Sequence, residues 1–93
     1  MSSPGGAATQ VCAHKFDQRF CALPKDIQER IQSRIDDLGR NLLSFSHQRL
    51  QGIEAFRLRV GDFRVIYEFD VERNELYLIT VGNRREIYKK PLN

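Results

Sequence analysis

Arg57, Arg59 and Arg64 flank a Gly61-Asp62 pair, in a stretch where Phe56, Leu58, Val60, Phe63, Val65, Tyr67 and Phe69 supply alternating apolar positions. Alternation on both sides of a two-residue Gly-Asp turn predicts a β-hairpin, with Val60 opposite Phe63 and Arg59 opposite Arg64. Like charges directly across a sheet destabilise it, so the arrangement is poor as pure architecture. A guanidinium does not give up its charge, and it matches a phosphate with two parallel hydrogen bonds. Three of them on one sheet face make chemical sense as an anion site. The structural alternative is neutralisation by Glu54, Asp62, Glu68 or Asp70 as surface ion pairs, which contribute little to stability.

Further basic residues follow. Arg84 and Arg85 come just after a third apolar run over residues 76–81. If that run pairs antiparallel with the second hairpin strand, both arginines arrive near the Arg64 end. Four or five arginines converging on one face point to a nucleic acid backbone as ligand. Tyr88 stands four residues beyond Arg84. It is either a packing tyrosine or a base-stacking platform and proton donor or acceptor beside a phosphate. Arg85, Lys89 and Lys90 would extend the basic surface as further nucleic-acid contacts.

Other chemistry-bearing residues form no constellation. His14 and His47 lack carboxylate or cysteine neighbours at ligand spacing, which argues against a metal site. Ser44 and Ser46 have no triad context. Gly5-Gly6 belongs to the N-terminal tail and so makes no phosphate loop, and Asp36-Asp37 at a helix end reads as solvated surface. No small-molecule cofactor is expected.

The elements that must position the arginines follow from periodicity. Residues 1–10 are small, polar and Gly/Pro-containing, and are expected to be a disordered tail. A domain over residues 11–93 follows. It opens on a weak strand over residues 11–16 and a short helix capped by Asp17, with Phe16, Phe20 and Leu23 on one face. Pro24 suits the first turn of a second helix. That helix carries Ile27, Ile31, Ile35 and Leu38 as one apolar stripe and stops at Gly39. A connector over residues 40–51 is expected to be anchored by Leu42, Leu43 and Phe45. The hairpin comes next, then a polar turn at residues 71–75 and the third strand. The predicted class is α+β: an N-terminal strand, a two-helix hairpin, then a three-stranded antiparallel meander, with the helices packed on one sheet face.

Bulk properties set the remaining limits. The 93 residues carry a net charge of +3 with a pI near 9.1, a mild basic excess compatible with nucleic acid. No apolar run approaches the roughly 18 residues of a membrane span, and nothing resembles a signal peptide. A cytoplasmic protein with no membrane partner is expected. In that compartment Cys12 and Cys21 are read as two buried thiols rather than a disulfide.

Together, Leu50-Gln51-Gly52, Phe56-Arg57-Leu58-Arg59-Val60-Gly61-Asp62-Phe63-Arg64-Val65-Ile66-Tyr67 and Val81-Gly82-Asn83-Arg84-Arg85-Glu86-Ile87-Tyr88 resemble the RelE/ParE toxin superfamily, and its RelE branch most closely. The resemblance implies a RelE-like fold and a toxin of a type II toxin–antitoxin pair, with a cognate antitoxin as partner. RelE-like members cleave mRNA in the ribosomal A site. There the ribose 2′-OH attacks the adjacent phosphate, leaving a 2′,3′-cyclic phosphate and a 5′-OH. The family's basic residues correspond to Arg57, Arg59 and Arg64, its arginine after the last strand to Arg84 or Arg85, and its C-terminal tyrosine to Tyr88. RelE has lysines where this chain has Arg57 and Arg59, and many relatives have histidine where it has Asn83. The group that would remove the 2′-OH proton is then Tyr88 or a group of the ribosome. A ParE-like inhibitor of DNA gyrase that cleaves nothing, or an inactive binding module, are the other members of the superfamily to weigh.

Overall fold

The predicted hairpin is present in the computed structural model, which describes residues 7–83 and 85. The two predicted strands are Phe56–Val60 and Phe63–Asp70, and the registers Arg59↔Arg64 and Val60↔Phe63 are those expected. Gly61 has φ +60° while Asp62 stays outside the left-handed region. That is the pattern of a type II′ turn, whose twist matches the flanking strands.

In chain order the elements are β1 (Thr9–Cys12), α1 (His14–Cys21), α2 (Lys25–Arg40), β2 (Gln48–Arg49), β3 (Phe56–Val60), β4 (Phe63–Asp70) and β5 (Glu75–Asn83). They form a five-stranded sheet in the order β1-β5-β4-β3-β2. The meander β3-β4-β5 is antiparallel, and β1 runs parallel along the outer side of β5. The α+β class and the element order are as predicted. β2 is an addition, two residues of the presumed connector that pair with Phe56 and Arg57 at the sheet edge.

Both helices pack on one face of the sheet. Phe16 of α1 and Ile31, Ile35 and Leu38 of α2 meet Leu58, Val65, Tyr67, Leu76, Leu78 and Val81 in a single core. Phe56, Val60 and Phe63 lie against it, so the apolar side of the hairpin is the buried side. Burying such side chains contributes about 1.5–3 kcal/mol each, which is what holds a two-residue turn in its register. No helix among the described residues is long and apolar enough to cross a membrane.

Several boundaries differ from expectation. The ordered chain begins earlier than residue 11, because Ala8 is buried and its N–H donates to the Gly39 carbonyl at 3.0 Å. Gly39 does not stop α2, which continues through Arg40 with Asn41 at its C-cap. The start of β1 passes over it: a Cβ built there would meet the Ala8 nitrogen at 3.7 Å, an ordinary van der Waals contact. The first strand ends at Cys12, and α1 begins at His14 after Ala13, so Asp17 lies in the first turn rather than at the cap. Pro24 caps α2 from just outside it. Leu42 anchors the connector as expected, but Leu43 is 83% exposed.

The two cysteines are free thiols, and both are exposed rather than buried. Asp36 is not mere surface either. It accepts hydrogen bonds from Gln10 of β1 (2.8 Å) and Gln32 of α2 (3.0 Å), which tie strand to helix.

His47 has a larger structural part than its loop position suggested. Its ring stacks on Phe69 with centroids 4.1 Å apart, and Phe45, Phe56 and Tyr67 surround it. Nε2 lies 2.9 Å from the Leu42 carbonyl and Nδ1 lies 2.6 Å from the Tyr67 hydroxyl. A carbonyl can only accept, so Nε2 carries the proton and Nδ1 accepts from Tyr67. This clasp closes the connector over the far end of the core.

Candidate nucleic-acid interface

Strand pairing alone places the arginines. Arg57, Arg59 and Arg64 alternate with core residues, so all three project from the face opposite the helices. Across the sheet the residues run in two rows on that face. One is Arg59, Arg64 and Gly82; the other is Arg57, Ile66 and Thr80. Adjacent strands lie about 4.8 Å apart, so the guanidinium-bearing side chains share an area the size of a nucleotide's phosphate and sugar.

Arg64 is the charged residue buried among the described residues, at 7% exposure. Its Nη1 donates to the Gly61 carbonyl at 3.2 Å and to the Phe63 carbonyl at 3.1 Å. The turn thus holds one edge of the guanidinium. A guanidinium has five N–H donors in a fixed plane, and among the described residues the three on Nε and Nη2 have no partner. An arginine fixed on one edge and open on the other loses little freedom when it binds an anion.

None of Glu54, Asp62, Glu68 and Asp70 pairs with Arg59 or Arg64 among the described residues. Glu54 pairs with Arg49 at 3.6 Å. Asp70 and Glu75 pair at the opposite end of β4 and β5, about 20 Å from Arg64 at the rise of a strand. Glu68 stands diagonally from Arg57. Among the described residues no carboxylate forms an ion pair with Arg59 or Arg64. The face is therefore divided, basic beside the hairpin turn and acidic beside the Val71–Asn74 turn.

β5 ends with Asn83 opposite Phe63, next to the hairpin turn. The chain therefore leaves the sheet at the basic end, as the antiparallel pairing required. Arg85 is exposed there, and its N–H donates to the Asn83 side chain at 3.0 Å. Arg84, Tyr88, Lys89 and Lys90 lie outside the described residues. The structure brings Arg57, Arg59 and Arg64 together.

Thr80 was not singled out by the sequence. Its place on this face depends on a β-bulge: Tyr67 pairs with Leu78 and Ile66 with Thr80, leaving Ile79 unpaired. Strict alternation from Leu76 and Leu78 would have put Thr80 in the core. The signal was present as a break in phase, since Leu76 and Leu78 are followed at the next alternate position by the polar Thr80, while Ile79 and Val81 beside it are apolar.

The site can bind and neutralise an oxyanion and stabilise charge that develops on it. Arginine cannot act as a base there. Among the described residues no three His, Cys, Asp or Glu side chains come together to hold a metal ion.

Comparison with known proteins agrees with this architecture. A sequence model of the family described as "ParE toxin of type II toxin-antitoxin system, parDE" matches residues 13–88. A search of curated proteins finds no match. The toxin–antitoxin complex RelBE2 of Mycobacterium tuberculosis contains a chain of similar fold, with a TM-score of 0.73 and 22% identity, covering 84% of this chain and 92% of that one. The isolated RelE toxin of E. coli is similar at TM-score 0.72 and 16% identity, covering 89% and 93%. The archaeal RelE–RelB complex of Pyrococcus horikoshii gives 0.69 and 21%, covering 85% and 97%. These likenesses show a shared fold, and the family match covers most of the chain. The chain belongs to the ParE toxin family of type II toxin–antitoxin systems, within the RelE/ParE superfamily.

Proposed function

We propose that this toxin is a ribosome-dependent mRNA endonuclease, whose arginine face holds the RNA backbone at the bond to be cut. The observation that carries the reading is Arg59 directly opposite Arg64, with no carboxylate paired to either among the described residues. Arg57, Arg59 and Arg64, with Arg84 from the chain beyond β5, act as a phosphate clamp. They bring the 2′-OH and the adjacent phosphate into register and offset the extra negative charge of the pentacoordinate transition state. As the 2′-oxygen bonds to phosphorus, the bond to the 5′-oxygen breaks. The products are a 2′,3′-cyclic phosphate and a 5′-OH. Tyr88 orients the nucleotide or exchanges the protons, with Arg85, Lys89 and Lys90 along the RNA.

The partner in the resting state is a cognate antitoxin, as in the RelBE2 and RelE–RelB complexes of similar fold. An acidic segment over the basic face would silence it, because it would neutralise the same guanidinium groups.

A second reading has its own support. The matching family model is that of ParE, and arginines cannot serve as a general base. A gyrase inhibitor that works by binding alone needs no base. Primer extension on mRNA translated with the purified protein, run beside a gyrase supercoiling assay, separates the two. Cuts that appear only when ribosomes are present support the endonuclease. Intact mRNA with blocked supercoiling would replace it by the gyrase inhibitor.

A further inference from the structure

We infer that Thr80 is a further RNA-binding residue, whose hydroxyl completes its hydrogen bonding with the sugar–phosphate unit seated on the arginine face. This rests on that face holding RNA.

Two independent observations lead to Thr80. The first concerns its hydroxyl. Thr80 Oγ1 is buried and has no hydrogen-bond partner, alone in this among the side-chain oxygens and nitrogens of the described residues. Buried polar groups are almost always paired, and a native exception calls for a reason. The second is how the residue reaches its position. The bulge at Ile79 shifts the phase of β5 by one residue. That shift keeps Val81 in the core, where it is fully buried, and turns Thr80 and Gly82 onto the arginine side. Bulges of this kind re-aim side chains and are concentrated beside active sites.

The surroundings define the ligand. Thr80 shares its row with Arg57 and Ile66 and stands diagonal to Arg64, a separation of about 7–8 Å in a sheet. Gly82 adds no side chain to the neighbouring row. No side chain at Gly82 separates the open edge of Arg64 from Thr80, so a group bound there lies beside the covered hydroxyl and meets it as the side chains over it move aside. A hydroxyl both donates and accepts, so it can serve a phosphate oxygen or a ribose 2′-OH. Guanidinium groups, by contrast, only donate. Thr80 is thus the side chain of these two rows able to accept a hydrogen bond from a sugar hydroxyl.

The test uses the full chain and three variants: Thr80→Val, which keeps the shape and removes the hydroxyl, Thr80→Ser, which keeps the hydroxyl, and Arg64→Ala. Binding of a short single-stranded RNA, and of DNA of the same sequence, is followed by fluorescence anisotropy, and thermal unfolding is recorded in parallel. Thr80→Val is expected to bind RNA about tenfold more weakly and to melt no lower than wild type, because no internal hydrogen bond is lost. Thr80→Ser is expected to bind like wild type. A loss confined to RNA assigns the hydroxyl to the 2′-OH; an equal loss on DNA assigns it to phosphate. If Thr80→Val binds RNA as tightly as wild type while Arg64→Ala does not, the Thr80 inference is wrong and the arginine face stands. A lower melting temperature with unchanged binding gives the hydroxyl a structural role and also overturns it. Wild-type protein that binds neither nucleic acid overturns the inference together with the reading beneath it.

Discussion

Replacing Arg59 by threonine should make the protein more stable and less toxic at once. Arg59 is exposed and directly opposite Arg64, which is buried and held by the turn carbonyls. Like charges in that relation cost a sheet up to about 1 kcal/mol, and threonine suits a strand at least as well as arginine. The substitution should therefore stabilise the fold by about 0.5–1 kcal/mol, because it relieves repulsion and breaks no ion pair among the described residues. For a domain of this size that raises the melting temperature by about 2–8 °C. The gain should shrink in roughly 1 M salt, where the Debye length is about 3 Å. Circular dichroism melts at low and high salt give the stability, and growth after induction gives the toxicity. Arg49→Thr is the control, since it removes the exposed pair with Glu54 and should gain nothing. A fall in melting temperature with undiminished growth arrest would refute the reasoning: Arg59 would then be a structural residue.

Tyr67→Phe should cost about 1–1.5 kcal/mol in a urea titration, because it leaves His47 Nδ1 without its donor. Burial raises the Tyr67 phenol above its ordinary value, so the folded state holds it neutral. That stability is full below about pH 10 and is lost as pH rises further; the phenylalanine variant should lack this alkaline loss. The Gln10 and Gln32 hydrogen bonds hold the Asp36 carboxyl below its usual range. Its stabilising contribution is present above about pH 4 and lost as pH falls through the lowered value. Gln10→Ala should therefore move the acid-unfolding midpoint to higher pH. Gly39→Ala should stabilise by about 0.5–1 kcal/mol in the same urea assay, since the added Cβ meets Ala8 at ordinary contact distance inside a helix.

The hairpin was legible in the sequence because two constraints agree there. A Gly-Asp turn fixes which residues pair, and the alternation fixes which face is buried. Arg59 opposite Arg64 follows from those two facts alone. β5 was harder, because alternation determines facing only while the strand is regular. One unpaired residue, Ile79, exchanges the faces beyond it, so regular alternation alone would place Thr80 in the core. Gly39 was misread because a glycine often ends a helix, whereas here α2 continues through Arg40 and the Gly39 carbonyl accepts from the Ala8 N–H. His47 gave no local cue, since its partners Leu42, Phe56, Tyr67 and Phe69 come together only in the folded chain. β2 was missed because two residues are too few to show a period.

The claim that the arginine face grips a nucleic acid backbone is tested most directly by the salt dependence of RNA binding. Dissociation constants for a single-stranded RNA would be measured across a salt series for wild type and for Arg57→Ala, Arg59→Ala and Arg64→Ala. Each phosphate contact adds about 0.7 to the magnitude of the logarithmic slope on single strands. The three arginines should together account for a slope of about 2, and each single variant should lower it by about 0.7. Variants that keep the wild-type slope would show that RNA does not lie on these arginines, and the proposed clamp would have to be abandoned.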